Sequence, residues 1–186
     1  MRMINSALFI LGCLCVACDQ ASINQVPVER HQAITAAFKF ASVDSLAQSY
    51  GQGLRLSSIR SSDVNTNGTS AIWQYEYLAS APFTYCFHST FESVDFDSTS
   101  PARLGVTFIS HGWFNSDVAL NIAEKNGGSD FRSQNPRFSI TAILAQPLVP
   151  NARTYWYITY RSSDNPSQVN LAIDAVTGTV AEYYVD

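Results

Sequence analysis

The sequence predicts an α+β fold of two tandem units, each a helix packed on a four-stranded antiparallel sheet. Three observations predict it. Val169–Val180, VNLAIDAVTGTV, alternates apolar and polar residues and then turns. Period two is the mark of a half-buried strand. Aromatic strands recur in two places, Trp73-x-Tyr75-x-Tyr77 and Trp156-x-Ile158-x-Tyr160. Finally, the order helix then four strands can be read twice along the chain.

The amino end reads as an export segment. Arg2 precedes an uncharged apolar run, Ile4 to Val16. That length suits a signal peptide, residues 1–18, and is short for a membrane span. Leu14-Cys15-Val16-Ala17-Cys18 resembles a bacterial lipobox with Cys18 as the acylated residue. Cys13 is the rival acceptor, and an ordinary secretory signal is the alternative to both. Three cysteines within six residues also suggest a metal cluster. The apolar export context and the lack of a second cluster argue against one. Two or three acyl chains on Cys18 would hold the protein stably on a membrane. Residues 19–29 lack periodicity and read as a tether. Asp19 resembles an inner-membrane retention signal.

Removing residues 1–18 takes away Arg2 and no acid, leaving 10 Lys+Arg against 15 Asp+Glu, a net charge of −5. With no basic patch, nucleic acid is excluded as a partner class. Cys86 is the one cysteine beyond Cys18. It reads as a small hydrophobe in a strand rather than a reactive thiol.

The first unit spans residues 30–112. Residues 30–40 read as helical or connecting. Ser42 is expected to cap a helix with Val43, Leu46, Ala47 and Tyr50 on one stripe, stopped by Gly51 and Gly53. Strands are expected over 54–60, 71–78, and from Phe83 through Phe96. A turn follows at 98–101 and a fourth strand over 104–111.

The second unit spans 113–186. Asn115-Ser116-Asp117 caps a helix carrying Val118, Ala119, Ile122 and Ala123 on its stripe, and Asn126-Gly127-Gly128 ends it. Phe138, Ile140, Ala142 and Leu144 point inward from a strand, and Pro147 and Pro150 mark a loop. The aromatic strand 155–160 follows. Asp174 then turns the chain by bonding backbone amides, with Gly178 at positive φ, and 180–185 returns as the last strand.

The stretch from Trp156 to Val180, an aromatic strand followed by a strand ending Asp-Ala-x-Thr-Gly and a return strand, resembles the end of PepSY domains. These are small α+β modules of metallopeptidase propeptides and envelope lipoproteins. The resemblance implies peptidase inhibition as one option. The first unit has Ser98-Thr99-Ser100-Pro101 in place of Thr-Gly. In architecture, two such units resemble the β-lactamase inhibitory proteins, which bind an enzyme through an open sheet face.

Chemistry-bearing constellations are few. Cys86 and His88 share a strand face, with His111 on a strand that could pair nearby. Residues two apart on a strand are about 6–7 Å apart, too far for a direct nucleophile–base pair. Glu92, Asp95 and Asp97 beside a turn read as a solvated hairpin end rather than a glycosidase or calcium site. No cofactor motif and no metal set emerges, and no catalytic residue is assigned.

Trp73, Tyr75, Tyr77, Trp156, Ile158 and Tyr160 are expected to face the core. The opposite face then carries Gln74, Glu76, Thr84, His88, Tyr155, Tyr157, Thr159, Arg161 and Asn170. Of these, Gln74, Glu76, His88, Tyr155, Tyr157 and Arg161 are the candidate contacts to a protein partner. A plain wet sheet face is the competing reading. The expectation is a non-enzymatic bacterial envelope lipoprotein, periplasmic or surface-facing, that binds or inhibits a protein. The alternatives are an accessory subunit of an envelope assembly and a small-ligand or hydrolytic protein.

Overall fold

A computed structural model of the chain describes residues 32–79, 83–101, 106–109, 112–149 and 151–185. Cys13, Cys18, the tether 19–29, His31 and His111 lie outside them. No helix among the described residues is long and apolar enough to cross a membrane.

The elements run α1 (Phe40–Tyr50), β1 (Arg55–Ser61), β2 (Trp73–Leu78), β3 (Phe83–Ser89), β4 (Val94–Pro101), β5 (Val106–Thr107), α2 (Ser116–Ala123), α3 (Ser129–Gln134), β6 (Phe138–Pro147), β7 (Tyr155–Ser162), β8 (Gln168–Asp174) and β9 (Val180–Val185). Eight strands form one antiparallel sheet in the order β4-β3-β2-β1-β6-β7-β8-β9, and β5 pairs with β6. This corrects the expectation of two units with a four-stranded sheet each. β1 bonds β6 in register, Ile59 opposite Leu144 and Ser61 opposite Ala142, so the two halves are one sheet.

The core is shared in the same way. The rings of Trp73 and Trp156 meet edge-on at 6.2 Å, and Trp113 packs edge-on against Trp156 at 6.3 Å. Trp73, Tyr75, Tyr77, Trp156, Ile158 and Tyr160 are fully buried on the helix side, as their alternation predicts. Each such aromatic removes about 150–250 Å² from water, on the order of 4–6 kcal/mol of gross transfer free energy. That sum makes a core possible without disulfides. Their polar ends find partners: Trp73 Nε1 donates to Ile34 O and Trp156 Nε1 to Phe114 O, both at 2.8 Å.

Val43 and Ala47 of α1 are buried, and the Tyr50 ring stacks on Phe96 at 4.5 Å. The helix starts at Phe40, two residues before the expected Ser42 cap. Turn bonds from Phe38 to Thr35 and from Phe40 to Ala37 already wind the chain there. Asn115 does cap α2, accepting from Ser116 N at 2.8 Å, but Val118 faces solvent, at 42% exposure. The chain does not end its helix at Gly128: Asn126 and Gly127 break the helical dihedrals and α3 continues after the kink.

Three further strand expectations change. Thr90 Oγ1 accepts from Glu92 N and Ser93 N, so the chain reverses there instead of running on to Phe96. Residues 98–101 belong to β4 and are not a turn. The strand expected over 104–111 is described only at Val106–Thr107; residues 104–105 and 110–111 lie outside the described part. The last hairpin matches its sequence. Asp174 Oδ1 accepts from Val176 N and Thr177 N, both at 2.9 Å, and Gly178 has φ +75°. This is the Asx turn that Asp followed by Gly encodes.

Candidate functional site

The helices cover one face of the sheet, and the other face carries the polar alternates. Opposed residues of antiparallel strands share a face, so register alone lays out rows across it. One row runs Asp95, His88, Gln74, Arg60, Ile143, Tyr157, Ala172. The next runs Ser98, Cys86, Glu76, Ser58, Ala145, Tyr155, Asp174. Thr141, Thr159 and Asn170 form a third.

The centre of this face is a buried charge. Glu76 is 3% exposed. It accepts from Ser58 Oγ at 2.9 Å and pairs with Arg60 Nη2 at 3.3 Å. Burying a carboxylate is costly unless it is paired and hydrogen-bonded, and these two groups supply both. β1 is bulged here, with the register shifting between Leu56 and Ser58. The extra residue, Ser57, donates to the Glu76 carbonyl at 3.0 Å. Arg60 Nε and Thr84 Oγ1 are buried without hydrogen-bond partners among the described residues.

Around this centre the groups are mostly engaged with one another. His88 Nε2 lies 3.6 Å from Asp95 Oδ2, an ion pair when the imidazole is protonated. Thr159 Oγ1 donates to Asn170 Oδ1 at 2.8 Å, and Arg161 Nη2 to Gln168 Oε1 at 3.3 Å. The Tyr155 and Tyr157 rings lie 6.1 Å apart, tilted by 50°, and both are half-buried. At the end of the face Arg153 Nη1 donates to Asp174 Oδ2 at 2.9 Å. That bond, with the Thr177 and Val176 amides, lowers the Asp174 carboxyl from 3.8 to about 2.

The structure thus places all six predicted contact residues on one face. Gln74, His88, Tyr155 and Tyr157 are half-buried, Arg161 is exposed, and Glu76 is buried. The six are not one cluster: β1 and β6 stand between the β2–β3 group and the β7 group. Cys86 and His88 share the face without a hydrogen bond between them, and Cys86 is a free thiol. No group of three potential metal-ligating side chains occurs among the described residues. Sequence reasoning missed Ser58 and Arg60. Their alternation is interrupted by the bulge, and nothing local signals that β1 neighbours Glu76. On the helix side, Tyr75 is raised to about 12 by burial. Burial also raises Tyr77 and Tyr160, so these phenols stay neutral donors.

The arrangement suits polar recognition over a broad face. No protein-family model matches the sequence, and no curated protein matches it. Its structure is similar to a crystal structure from Clostridium difficile 630, of a protein assigned as a lipoprotein. The TM-score is 0.53 at 12% identity, over 79% of this chain and 92% of that one. The likeness is one of fold.

Proposed function

We propose that this chain is a bacterial envelope lipoprotein, acylated at Cys18, whose uncovered sheet face binds a protein without catalysing a reaction on it. The observation that carries the reading is the face itself. It spans the joined sheet and carries Tyr155, Tyr157, Arg60, Arg161 and His88, residue types enriched in protein interfaces or adaptable within them. The lipobox at Leu14–Cys18 supports the anchor, and so does the shared fold with a protein assigned as a lipoprotein. The PepSY resemblance of Trp156–Val180 makes a secreted peptidase the first partner to test, with inhibition as the outcome.

The test is crosslinking in the cell. A photo-reactive phenylalanine replaces Tyr157 on the uncovered face and, as control, Val118 on the helix side. The amino-terminal peptide is analysed by mass spectrometry in the same preparation. The expected result is a diacylglyceryl-modified Cys18 and a discrete adduct from position 157 alone. An unmodified Cys18, or equal adducts from both positions, overturns the respective half of the reading.

A further inference from the structure

α1 packs on β3 and β4, and α2 packs on β7 and β8. Between α1 and the segment leading into α2 lies a crevice of about 430 Å³. That falls in the lower part of the range for small-molecule sites, roughly 300–1,000 Å³. Leu54, Leu56 and Ile109 give it an apolar lining. Ile109 N donates to Leu56 O at 2.9 Å, which holds that lining together. Phe40 and Trp113 add two rings, edge-on to each other at 5.5 Å.

Among the described residues a single charged side chain faces this lining. Residues four apart on a helix share a stripe, and the stripe of α1 that meets the crevice is Phe40, Asp44, Gln48. Asp44 is half-buried. Tyr77 Oη donates to Asp44 Oδ1 at 3.2 Å, which orients the carboxylate. Burial, and then the Asp44 charge itself, raise the Tyr77 phenol, so it stays a donor. The other carboxylate oxygen receives no hydrogen bond and no ion pair from the described residues. Gln48 Nε2 donates to Leu54 O at 2.8 Å, which fixes the amide and leaves its oxygen as an acceptor. Arg55 does not answer the carboxylate. Leu56 lies opposite Tyr77, which is buried on the helix side, so the Arg55 side chain turns to the other face. There its guanidinium lies 4.0 Å over the Phe108 ring. A carboxylate drawn into apolar surroundings without a counter-ion is costly, and a cation from solution relieves that cost.

We propose that this crevice binds a small organic monocation, a primary ammonium on an aryl or branched-alkyl body. The ammonium meets the open Asp44 oxygen and the Gln48 amide oxygen. The body lies on Leu54 and Leu56 and against the Phe40 and Trp113 rings. A carboxylate on the ligand would find no basic partner among the described residues, so an anion is rejected. The site is independent of the partner-binding face, because its walls belong to the helix-covered side.

The test uses the full chain, purified in a sugar-headed, uncharged detergent and labelled with ¹⁵N. Phenethylamine is titrated while the Trp113 indole signal is followed. Two probes with nearly the same body are titrated in parallel, neutral 2-phenylethanol and anionic 3-phenylpropionate. A saturable shift is expected with the amine. The alcohol and the acid are expected to bind at least about tenfold more weakly, the value of one charge-assisted hydrogen bond. Asp44→Asn retains an acceptor for Tyr77 and so keeps the fold, and it should erase the preference for amine over alcohol. The comparison of probes on the native chain needs no variant. No saturable shift with the amine up to about 10 mM, beyond ordinary small-ligand affinities, overturns the proposal. So does an alcohol or an acid that binds as tightly as the amine, or a folded Asp44→Asn chain that keeps the preference.

Discussion

Arg153 and Asp174 join the β6–β7 loop to the β8–β9 turn through one charged hydrogen bond of 2.9 Å. The same carboxylate accepts two turn amides through its other oxygen. One side chain thus closes the final hairpin and ties it to its neighbour. Replacing it by Ala should cost about 1–2 kcal/mol, the scale of a lost cap plus a charged bond. Asp174→Asn should cost less, because it keeps an acceptor for the amides. The sign of the pH dependence follows from the lowered carboxyl. The folded state holds Asp174 at about 2 against 3.8 ordinarily, so its contribution is present above about pH 4. It is lost as pH falls to about 2. The stability gap between the native chain and Asp174→Asn should close over that window, as read by denaturant titration at each pH.

Thr84 buries a hydroxyl that no group among the described residues satisfies, at 2% exposure. Thr84→Val keeps the shape and the β-branched preference of β3 and removes the stranded oxygen. Stabilisation of about 1 kcal/mol is expected, the lower range for an unsatisfied buried polar group. Equal or lower melting of the variant would show that the hydroxyl is solvated.

Gly68 sits at φ +80°, and a Cβ there would lie 2.4 Å from Asp117 Cα and 2.5 Å from Ser116 O. Both neighbours are backbone at the start of α2, and Ser116 Oγ also donates to Gly68 O at 2.7 Å. Gly68→Ala must therefore push the 61–73 loop off α2. Destabilisation of roughly 2–4 kcal/mol is expected, with amide exchange accelerating in α2 before the sheet.

Arg60 supplies the cation beside buried Glu76. Arg60→Met retains the apolar stem and withdraws the charge, which should destabilise by about 1–3 kcal/mol at neutral pH. Glu76→Gln, which still offers an acceptor to Ser58, should cost less. The double variant should fall well short of the sum of the two, and additive losses in a double-mutant cycle would mean that the pair is not coupled.

Much of the local structure was legible in order of residues. The alternation around Trp73, Tyr75 and Tyr77, and again around Trp156, Ile158 and Tyr160, assigned the core face correctly. Asp174 and Gly178 named their own turn, because an Asx turn is made by residues within five positions of each other. Misplaced boundaries have local causes too. The Thr90 hydroxyl makes a reversal inside a stretch whose apolar residues suggest continuity. Residues 98–101 look like a turn by composition, yet they pair with β3 from Cys86 to Phe83. Tertiary pairing overrode propensity there.

The sequence by itself determined which side of the two aromatic strands is buried, where the last hairpin turns, and which polar residues of β2 and β7 are left on the uncovered face. Only the tertiary structure decided that β1 lies against β6, so that one sheet and one core replace two. It also decided that Arg60 meets Glu76, and that β5 rather than β1 pairs with the end of β6. The reason is that strands join through backbone N–H and C=O groups, which are the same whatever side chains they carry. A period of two tells a strand which face to bury and says nothing about which edge it will bond.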